Sequence, residues 1–304
     1  MALPAAAAAE PRYHLAVIGD VPYDAAQDAY LPTLIGAVNA DPQVQAAVHL
    51  GDIKSGGTPC SDAWFAHIKD DVFGAFDDPL VYTPGDNEWT DCHRPTNGPY
   101  NPLERLARIR EVFFPTPGQT LGRHPMAVTA QAAPYVENVR WYRSRVAFGT
   151  VHVVGSNNSL APWTGLTEPT PEQLQEVEGR TQAALDQIDA VFDRAELVSS
   201  TGRRGKGVVL MMQADMWDGA AANQTGFAAI KERIAQRARA FRKPVILLEG
   251  DSHGYKVDHP LPTAPNVTRI VVEGSAPARE WLELRVVPDS RGIFFWSRRP
   301  VPAT

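Results

Sequence analysis

The chain reads HLAVIGD at residues 14–20, an apolar, strand-like run that ends in the dipeptide Gly-Asp. The same arrangement recurs three times, with Gly-Asp closing an apolar run at Asp52, Asp86 and Asp251. In open α/β sheets, ligands bind at the carboxyl ends of the strands, where glycine lets the backbone turn sharply and approach a ligand closely. The repetition therefore predicts four strands that deliver four carboxylates to one edge of an α/β fold.

Four carboxylates at one edge repel each other, and burying unpaired charge is costly unless cations lie between them. We therefore interpret the edge as a metal site. For one aspartate alone, a helix cap or a turn is the simpler explanation, because Asp after Gly commonly begins a loop. The four aspartates together with His253 favour the metal site.

Composition limits the kinds of partner. The 304 residues are 44% hydrophobic, which is ordinary for a globular protein with a full core. With 29 basic against 35 acidic side chains and a net charge of -6, the chain offers no basic stripe for nucleic acid. No apolar stretch reaches the roughly 18 residues of a membrane-spanning helix. We expect neither a nucleic-acid nor a membrane partner, and the oligomeric state is left open.

Two features bear on cellular location. Residues 1–11 read MALPAAAAAEP, which resembles the small-residue end of a secretory signal peptide, or else is a disordered tail, and leaves one predicted domain over 12–304. Cys60 and Cys92 each follow a Gly-Asp turn. A disulfide between them fits an oxidising compartment, so we expect a secreted or periplasmic protein; two unpaired thiols are the alternative.

Strand-like runs alternate with helical patterns in the first half of the chain, which implies parallel strands with helical crossovers. The closely spaced final strands predict an antiparallel meander. The predicted fold class is α/β, with two packed mixed β-sheets flanked by helices. Residues 115–134 form a long connection that we expect to act as a lid over the site. Helices are predicted at 24–39, 61–76, 103–113, 170–196 and 227–241, and strands at 13–18, 44–50, 80–83, 146–154, 207–212, 244–248, 267–272, 281–287 and 292–296.

Five short blocks occur in a recognisable order and spacing. They are GDVPYD at 19–24, GDIK at 51–54, PGDNEW at 84–89, MMQAD at 211–215 and GDSH at 250–253. Together they resemble the blocks of the calcineurin-like metallophosphoesterases, which run Asp-x-His, Gly-Asp, Gly-Asn-His-Asp/Glu, a lone His after a strand, and Gly-His-x-His. The resemblance implies an α/β/β/α sandwich that holds two divalent metal ions at one edge and hydrolyses phosphoesters.

Carried over position by position, the resemblance implies a ligand set. Asp20 matches the first aspartate, whereas Pro22 stands where the family has histidine and cannot coordinate a metal. Most other departures replace nitrogen by oxygen donors, which suit Mg or Mn better than Zn. The implied ligands are Asp20, Asp52 and His253 for one ion, and Asp52, Asp86, Asp251 and Gln213 for the other.

The resemblance also implies a mechanism, in which a water that bridges the two metals is the nucleophile. Asn87 stands where the family has the histidine that assists the leaving group, a role typically worth about 10²–10⁴-fold. Glu88, Tyr23 and His93 are candidate substitutes. Arg94 is predicted to bind a phosphoryl oxygen, with an ion pair to Asp91 as the alternative. Asn157 ends a strand, and either it faces the same edge and binds substrate or its role is turn formation.

The predicted function is a metal-dependent phosphoester hydrolase that acts on a small phosphorylated substrate. The alternative is a catalytically impaired binding protein with the metallophosphoesterase fold. A third interpretation takes GDSH as resembling the Gly-Asp-Ser block of serine esterases, with Ser252 as nucleophile and Asp258 and His259 downstream.

Overall fold

The computed structural model describes residues 10–198, 202–274 and 279–301. These residues form two β-sheets packed face to face, with helices on both outer faces, so the predicted fold class is confirmed. Residues 1–9 of the predicted signal-peptide remnant lie outside the described residues. No helix of the described ranges has the length and apolar character needed to cross a bilayer.

Within the described residues, twelve strands and six α-helices follow each other. The strands are β1 (Tyr13–Ile18), β2 (Ala46–His49), β3 (Leu80–Tyr82), β4 (Thr129–Ala130), β5 (Val139–Arg143), β6 (Val146–Thr150), β7 (Gly207–Met211), β8 (Val245–Glu249), β9 (Lys256–Asp258), β10 (Val267–Val271), β11 (Glu280–Val286) and β12 (Phe294–Pro300). The helices are α1 (Ala25–Asn39), α2 (Asp62–His67), α3 (Pro102–Phe113), α4 (Gly155–Ser159), α5 (Pro171–Glu196) and α6 (Ala228–Phe241).

The first sheet has the order β12-β11-β1-β2-β3. In it β1, β2 and β3 are parallel, and β11 runs antiparallel to both of its neighbours, β1 and β12. The second sheet has the order β4-β5-β6-β7-β8-β10-β9, with β6, β7, β8 and β10 parallel. The predicted final meander is therefore wrong in part. β10 lies parallel to β8 in the second sheet, and of the final strands β11 and β12 pair antiparallel with each other in the first.

Local sequence explains where the principal helices begin. Thr170 and Gln173 form a capping box at the start of α5, with Pro171 in the first turn. The predicted helix at 61–76 is shorter than expected. α2 ends at His67, and the chain continues as a π-helical segment, Ile68–Val72, and then a 3₁₀ turn, Phe73–Ala75.

Alternation along the strands divides the core into layers. In β1, Leu15 and Val17 pack between the two sheets, whereas Ala16 and Ile18 pack against the helices of the first outer layer. Both faces of the strand are thus covered, which is typical of strands in an α/β architecture. Only the strand ends and the loops that follow them remain available to form a site.

The long connection at 115–134 is not a lid. Leu121 exchanges backbone hydrogen bonds of 2.8 and 2.9 Å with Leu80, the first residue of β3, while Asp86 follows the other end of that strand. The connection then reaches β4, which pairs with β5 at the edge of the second sheet. It therefore closes one side of the sandwich at the end of β3 opposite the aspartates.

Candidate metal centre

The four Gly-Asp aspartates meet at the carboxyl edge of the sandwich. Asp20, Asp52 and Asp86 follow β1, β2 and β3 of the first sheet, and Asp251 follows β8 of the second. The backbone N–H of Asp20 donates to the carbonyl of Gly51 over 3.0 Å, and the N–H of Asp251 donates to the Asp20 carboxylate over 3.0 and 3.2 Å. The edge is thus assembled from both sheets.

Three of these aspartates have left-handed backbone conformations, with φ of 56° at Asp20, 58° at Asp52 and 70° at Asp251. This conformation costs a non-glycine residue about 1–2 kcal/mol, although Asp tolerates it better than most. Strained residues of this kind concentrate at functional sites, where surrounding structure holds them in place. The three turns are therefore maintained by tertiary contacts rather than by local preference.

Ligand-type atoms at this edge fall into two groups. One group contains Asp20, Asp52 and His253, and the other contains Asp52, Asp86 and Asp251. Within each group the ligand atoms lie within 4.8 Å of one another. Asp52 belongs to both groups, as the family resemblance implies for a bridging ligand. These groups could bind metal, and the number and identity of the ions stay predictions.

The carboxylates have no basic partner. Asp20, Asp52 and Asp86 are 0, 1 and 7% exposed. Among the described residues, no lysine or arginine forms an ion pair with any of the four aspartates. The imidazole of His253 is the basic group beside them, with Nε2 3.7 Å from Asp20 Oδ1. Burial, with a contribution from Asp86, raises the pKa of Asp20 to about 8 and raises the pKa values of Asp52 and Asp251 well above their usual range.

Glycines leave the space that an ion needs. A Cβ on Gly155 would stand 2.6 Å from Asp86 Oδ2 and 3.0 Å from Asp251 Oδ1, and a Cβ on Gly250 would stand 2.7 Å from Asp20 Oδ2. Backbone approaches the carboxylates here at distances that no side chain permits. The spaces beside Gly155 and Gly250 are lined by carboxylate oxygens, and His253 adds one imidazole. This donor set fits hard divalent cations such as Mg²⁺ and Mn²⁺.

This packing makes a first prediction. Gly155→Ala is expected to lower Mn²⁺ affinity by about 10-fold or more, because its methyl group would crowd Asp86 and Asp251. Gly36→Ala in α1 is the matched control, since a Cβ there meets nothing within 4 Å. Isothermal titration of both variants with MnCl₂ measures the difference. Wild-type affinity in Gly155→Ala would contradict the assignment of this space to an ion.

Tyr23 and Asn87 converge on Asp52. The Tyr23 hydroxyl donates to Asp52 Oδ2 over 2.7 Å and lies 3.1 Å from His253 Nε2. Asn87 Nδ2 donates to the same Oδ2 over 2.7 Å and to the Tyr23 hydroxyl over 3.0 Å. Burial, together with the charges of Asp52 and Asp20, raises the pKa of Tyr23, so its phenol keeps its proton. Both residues, predicted from separate loops, thus lie beside the shared carboxylate.

Glu88 does not occupy a catalytic position. Its side chain is 0% exposed, and Oε1 accepts hydrogen bonds from the N–H groups of Gly85 (2.6 Å) and Asp52 (3.1 Å) and from the Tyr82 hydroxyl (2.8 Å). A buried carboxylate bound to two turns has no path to a leaving group. The structure corrects the expectation, because Glu88 holds the second and third Gly-Asp turns together.

Lys54 is a residue to which sequence reasoning gave no role. Its side chain is buried, and Nζ donates to the carbonyls of Asn87 over 2.6 Å and Ser55 over 2.9 Å. Burial lowers the pKa of Lys54 to about 8. The only sequence signal was its position two residues after Asp52 in the block GDIK. Lys54 anchors the loop that carries Asn87.

Gln213 is placed at the cluster, and its oxygen already accepts one hydrogen bond. Nε2 donates to Asp86 Oδ1 over 3.1 Å, and Oε1 accepts from the N–H of Gly155 over 2.7 Å. The amide therefore orients Asp86 and fixes Gly155; because its oxygen keeps a second lone pair, the role of Gln213 as a direct ligand stays a prediction.

The α4 segment is a single left-handed turn in which Ser156, Asn157, Asn158 and Ser159 have φ between 51° and 67°. Four consecutive residues in this conformation require strong tertiary support. Asn158 supplies part of it, because its side chain bonds the buried guanidinium of Arg180. The two Asn residues are compatible with a left-handed turn, but the sequence did not indicate four consecutive residues in that conformation.

Ser156, also missed from the sequence, contacts the cluster directly. Its Oγ lies 2.9 Å from Asp86 Oδ2 and 2.8 Å from Asp91 Oδ1. Asn157, a predicted substrate-binding residue, lies in the same turn, but its side chain bonds Thr225 and the N–H of Gly226 over 2.9 and 2.8 Å. Asn157 thus borders the site while its amide fixes the neighbouring loop.

Two residues of the third-block loop have partners outside the cluster, and their substrate-binding roles stay predictions. His93 lies outside the cluster, because its Nδ1 is bound to the N–H and hydroxyl of Thr164 over 2.9 and 2.8 Å. Arg94 forms the ion pair that was its alternative, with Nη2 2.5 Å from Asp91 Oδ2. A Cβ on Gly56 would stand 2.8 Å from Arg94 Nη1 and 2.9 Å from Asn87 Oδ1, so these two groups border one small space.

The serine-esterase interpretation is wrong. Ser252 Oγ donates to Asp215 Oδ2 over 2.9 Å rather than bonding a histidine. Asp258 is held in an ion pair by Arg269, and His259 Nδ1 bonds a backbone carbonyl over 2.8 Å. Because these side chains have other partners, they do not form a nucleophile and base.

A cleft of about 490 Å³ opens beside Asp251. Its walls are the α4 turn, residues 160–162 and the loop from Asp215 to Asn223. This volume lies within the range of small-molecule sites in proteins. Of the four aspartates, Asp251 lines this cleft, which is large enough for a small organic group.

The predicted disulfide is confirmed. Cys60 and Cys92 are bonded and join the loop after β2 to the loop after β3. These loops carry the turns of Asp52 and Asp86, so the bridge links two of the four aspartate blocks covalently.

Comparisons with known proteins support the fold alone. No protein-family model matches the sequence, and no curated protein matches it. Among solved structures, the chain is similar to GAP50, the anchor in the inner membrane complex of Plasmodium, with a TM-score of 0.52 and 9% identity over 96% of this chain and 90% of the other.

Two nucleotidases are more distant. The 5'-nucleotidase precursor of Thermus thermophilus matches with a TM-score of 0.46 and 13% identity, over 95% of this chain and 54% of the other. The NAD nucleotidase NadN of Haemophilus influenzae matches with a TM-score of 0.36 and 11% identity, over 95% and 55%. This chain thus spans about half the length of each nucleotidase, and likeness at this level assigns no activity.

Proposed function

We propose that this chain is a divergent member of the calcineurin-like metallophosphoesterases and a metal-dependent phosphoester hydrolase. The observation that carries the proposal is the pair of ligand groups that share the buried Asp52 without a lysine or arginine partner among the described residues. Four carboxylates match the charge of two divalent ions. Burial without such ions would leave their charges uncompensated.

The residues divide into two roles. Asp20, Asp52 and His253 would hold one ion, and Asp52, Asp86 and Asp251 the other. Oxygen-rich donors favour Mg²⁺ or Mn²⁺. Divalent ions bound there would polarise the phosphoryl oxygens and lower the pKa of water into a useful range.

Protein groups around the ions would bind and orient the phosphoryl group. Arg94 offers guanidinium N–H donors to a phosphoryl oxygen next to the amide of Asn87. Tyr23 keeps its proton and fixes one oxygen of Asp52. No described side chain beside the cluster is an evident acid for the leaving group. We therefore propose that the enzyme prefers substrates with good leaving groups, since it lacks general acid help.

Two further proposals concern the whole chain. Residues 12–304 act as one domain, because the core between the sheets draws on strands from both ends of the chain. The disulfide and the signal-like amino terminus support secretion or export to the periplasm, since disulfides persist in oxidising compartments.

Metal analysis and turnover test the proposed activity together. The purified protein should bind about two Mn²⁺ per chain by mass spectrometry and hydrolyse p-nitrophenyl phosphate or bis(p-nitrophenyl) phosphate in Mn²⁺ but not in EDTA. Both esters have good leaving groups. Failure to bind Mn²⁺ or Mg²⁺ would contradict the proposal.

The alternative is a binding protein that kept the fold and lost turnover. It is favoured by the missing proton donor and by the likeness in fold to GAP50, an anchor in a membrane complex. Two bound ions with no hydrolysis of either ester would select this alternative.

A further inference from the structure

We propose that the cleft beside Asp251 binds the alcohol part of the substrate, and that it selects phosphomonoesters of small, positively charged alcohols over esters that carry further phosphate groups. The inference rests on the proposed function, because it assigns the phosphoryl group to the cluster. The substrate class is thus that of phosphoesters with a cationic alcohol part, for which phosphocholine is the simplest quaternary probe. Because choline is a poorer leaving group than p-nitrophenol, phosphocholine should turn over more slowly than p-nitrophenyl phosphate, and the selectivity is measured against an alkyl ester of equal leaving ability.

The position of the cleft supports this assignment. Asp251 and the α4 residue Ser156 lie on its wall next to the cluster, and Asp218 and Asn223 lie on the wall formed by the following loop. A group attached to a phosphoryl at the cluster would therefore extend between α4 and the loop. The volume of about 490 Å³ accommodates a small alcohol.

The charge of the cleft is negative. Its lining contains three acidic residues and no lysine or arginine. Asp251 belongs to the cluster, and the guanidinium of Arg269 is paired with Asp215 in a buried ion pair. Asp218 is exposed, and its carboxylate makes no ion pair or hydrogen bond with another side chain of the described ranges. One uncompensated negative charge therefore remains on the wall away from the cluster.

The lysine beside the Trp217 ring is engaged elsewhere. Lys231 does not line the cleft; its Nζ donates to Gln224 over 2.8 Å and lies 4.9 Å from the centre of the Trp217 ring. The lining also includes Leu160 and Phe227, which offer apolar surface to methylene or N-methyl groups. An ammonium group would gain from this combination of an aromatic side, an aliphatic side and a free carboxylate.

The two sides of the cluster differ in charge, which orients the substrate. Arg94 and Asn87 border the side of the third-block loop, and Asp218 borders the cleft. A phosphoryl group bound toward Arg94 would place its alcohol toward Asp218. A second phosphate in the cleft would face a carboxylate and no base, so diphosphates and nucleoside polyphosphates are disfavoured.

Paired substrates test this selectivity. Glycerol 3-phosphate is the phosphoester of a neutral alcohol of similar size. In wild type with Mn²⁺, kcat/KM for phosphocholine should exceed kcat/KM for glycerol 3-phosphate by about 5-fold or more. Asp218→Asn should reduce the ratio about fivefold and Asp218→Lys by more than about 10-fold, because reversal adds repulsion. Asp70→Asn, a change to an exposed aspartate of the π-helical segment, should leave the ratio unchanged.

A binding measurement without turnover accompanies the kinetics. Choline should bind metal-free wild-type protein by saturation-transfer NMR, glycerol should not, and Asp218→Lys should abolish the choline signal. A wild-type ratio near 1, or a ratio unaffected by Asp218→Lys, overturns the inference while hydrolysis of p-nitrophenyl phosphate keeps the proposed function. If no ester is hydrolysed, the proposed function fails, and equal signals from choline and glycerol then overturn the cleft assignment independently.

Discussion

Asp52→Asn is expected to abolish Mn²⁺-dependent phosphoester hydrolysis, with kcat/KM falling by about 10³-fold or more. Asp52 is the one residue common to both ligand groups, so its charge would contribute to both ions at once. Asparagine has nearly the same shape, and its carbonyl oxygen can still accept from Tyr23 and Asn87. The change therefore removes a charge and one oxygen donor while the surrounding packing stays.

Metal stoichiometry separates lost ligation from lost folding. Asp52→Asn should bind fewer Mn²⁺ per chain by mass spectrometry and keep the wild-type far-ultraviolet circular dichroism. Asp70→Asn is the control for removal of an aspartate at an exposed position, and it should keep full activity. Wild-type turnover in Asp52→Asn would refute the assignment of the shared ligand.

The second large effect is a stability that depends on metal and pH together. Burial raises the pKa of Asp20 to about 8 and the pKa values of Asp52 and Asp251 well above the unfolded value near 3.9. Between about pH 3.9, the unfolded pKa, and pH 8, the folded pKa of Asp20, the folded, metal-free protein binds more protons than the unfolded chain. Its free energy of unfolding should therefore fall as the pH rises, by up to about 1.4 kcal/mol per pH unit for each carboxyl that titrates.

The interval from pH 6.5 to 8 contains this effect, and Asp91, with its pKa raised to about 7, and His67, with a raised pKa, add to the same falling slope there. Burial lowers the pKa of His49 to about 4, so that group contributes the opposite slope only below pH 6.5. Lys54, with its pKa lowered to about 8, contributes an opposite slope above pH 8. Urea unfolding in EDTA at pH 6.5 and pH 8 measures the metal-free slope. The same titration in MnCl₂ should show stabilisation that is larger at pH 8, because bound cations replace the protons.

Asp251→Asn supplies the internal comparison. It removes one of the buried carboxyls, so the metal-free variant should show a smaller loss of stability between pH 6.5 and 8 and less stabilisation by MnCl₂. A metal-free wild type whose unfolding free energy stays constant or rises over this interval would show that the carboxylates are neutralised in another way.

The strand ends could be predicted from the sequence because they depend on local signals. The run of apolar residues that ends at Gly19 marks β1 with its observed bounds, and each Gly-Asp dipeptide marks a turn at the same edge. Strand polarity alone then brings Asp20 and Asp52 together, since parallel neighbours end on the same side. β10 was misplaced, because sequence spacing does not show which of two sheets a strand joins.

The surroundings of the carboxylates could not be predicted in the same way. Glu88 and Lys54 look like surface residues by type, and only tertiary packing buries them beneath the turns. Asn adopts the left-handed conformation as a single residue, but the run of four such residues in α4 depends on distant partners such as Arg180. The direction of the His93 side chain could not be predicted either. His93 is adjacent to Cys92 in sequence, but its imidazole bonds Thr164.

The aspartate edge draws on both sheets, since Asp20, Asp52 and Asp86 follow strands of the first and Asp251 follows a strand of the second. An ion held between Asp86 and Asp251 would therefore join the two halves of the molecule at their rim. In surroundings poor in such ions, the halves would separate there more often and expose peptide bonds to proteases. The lifetime of the protein would then follow the supply of divalent cations.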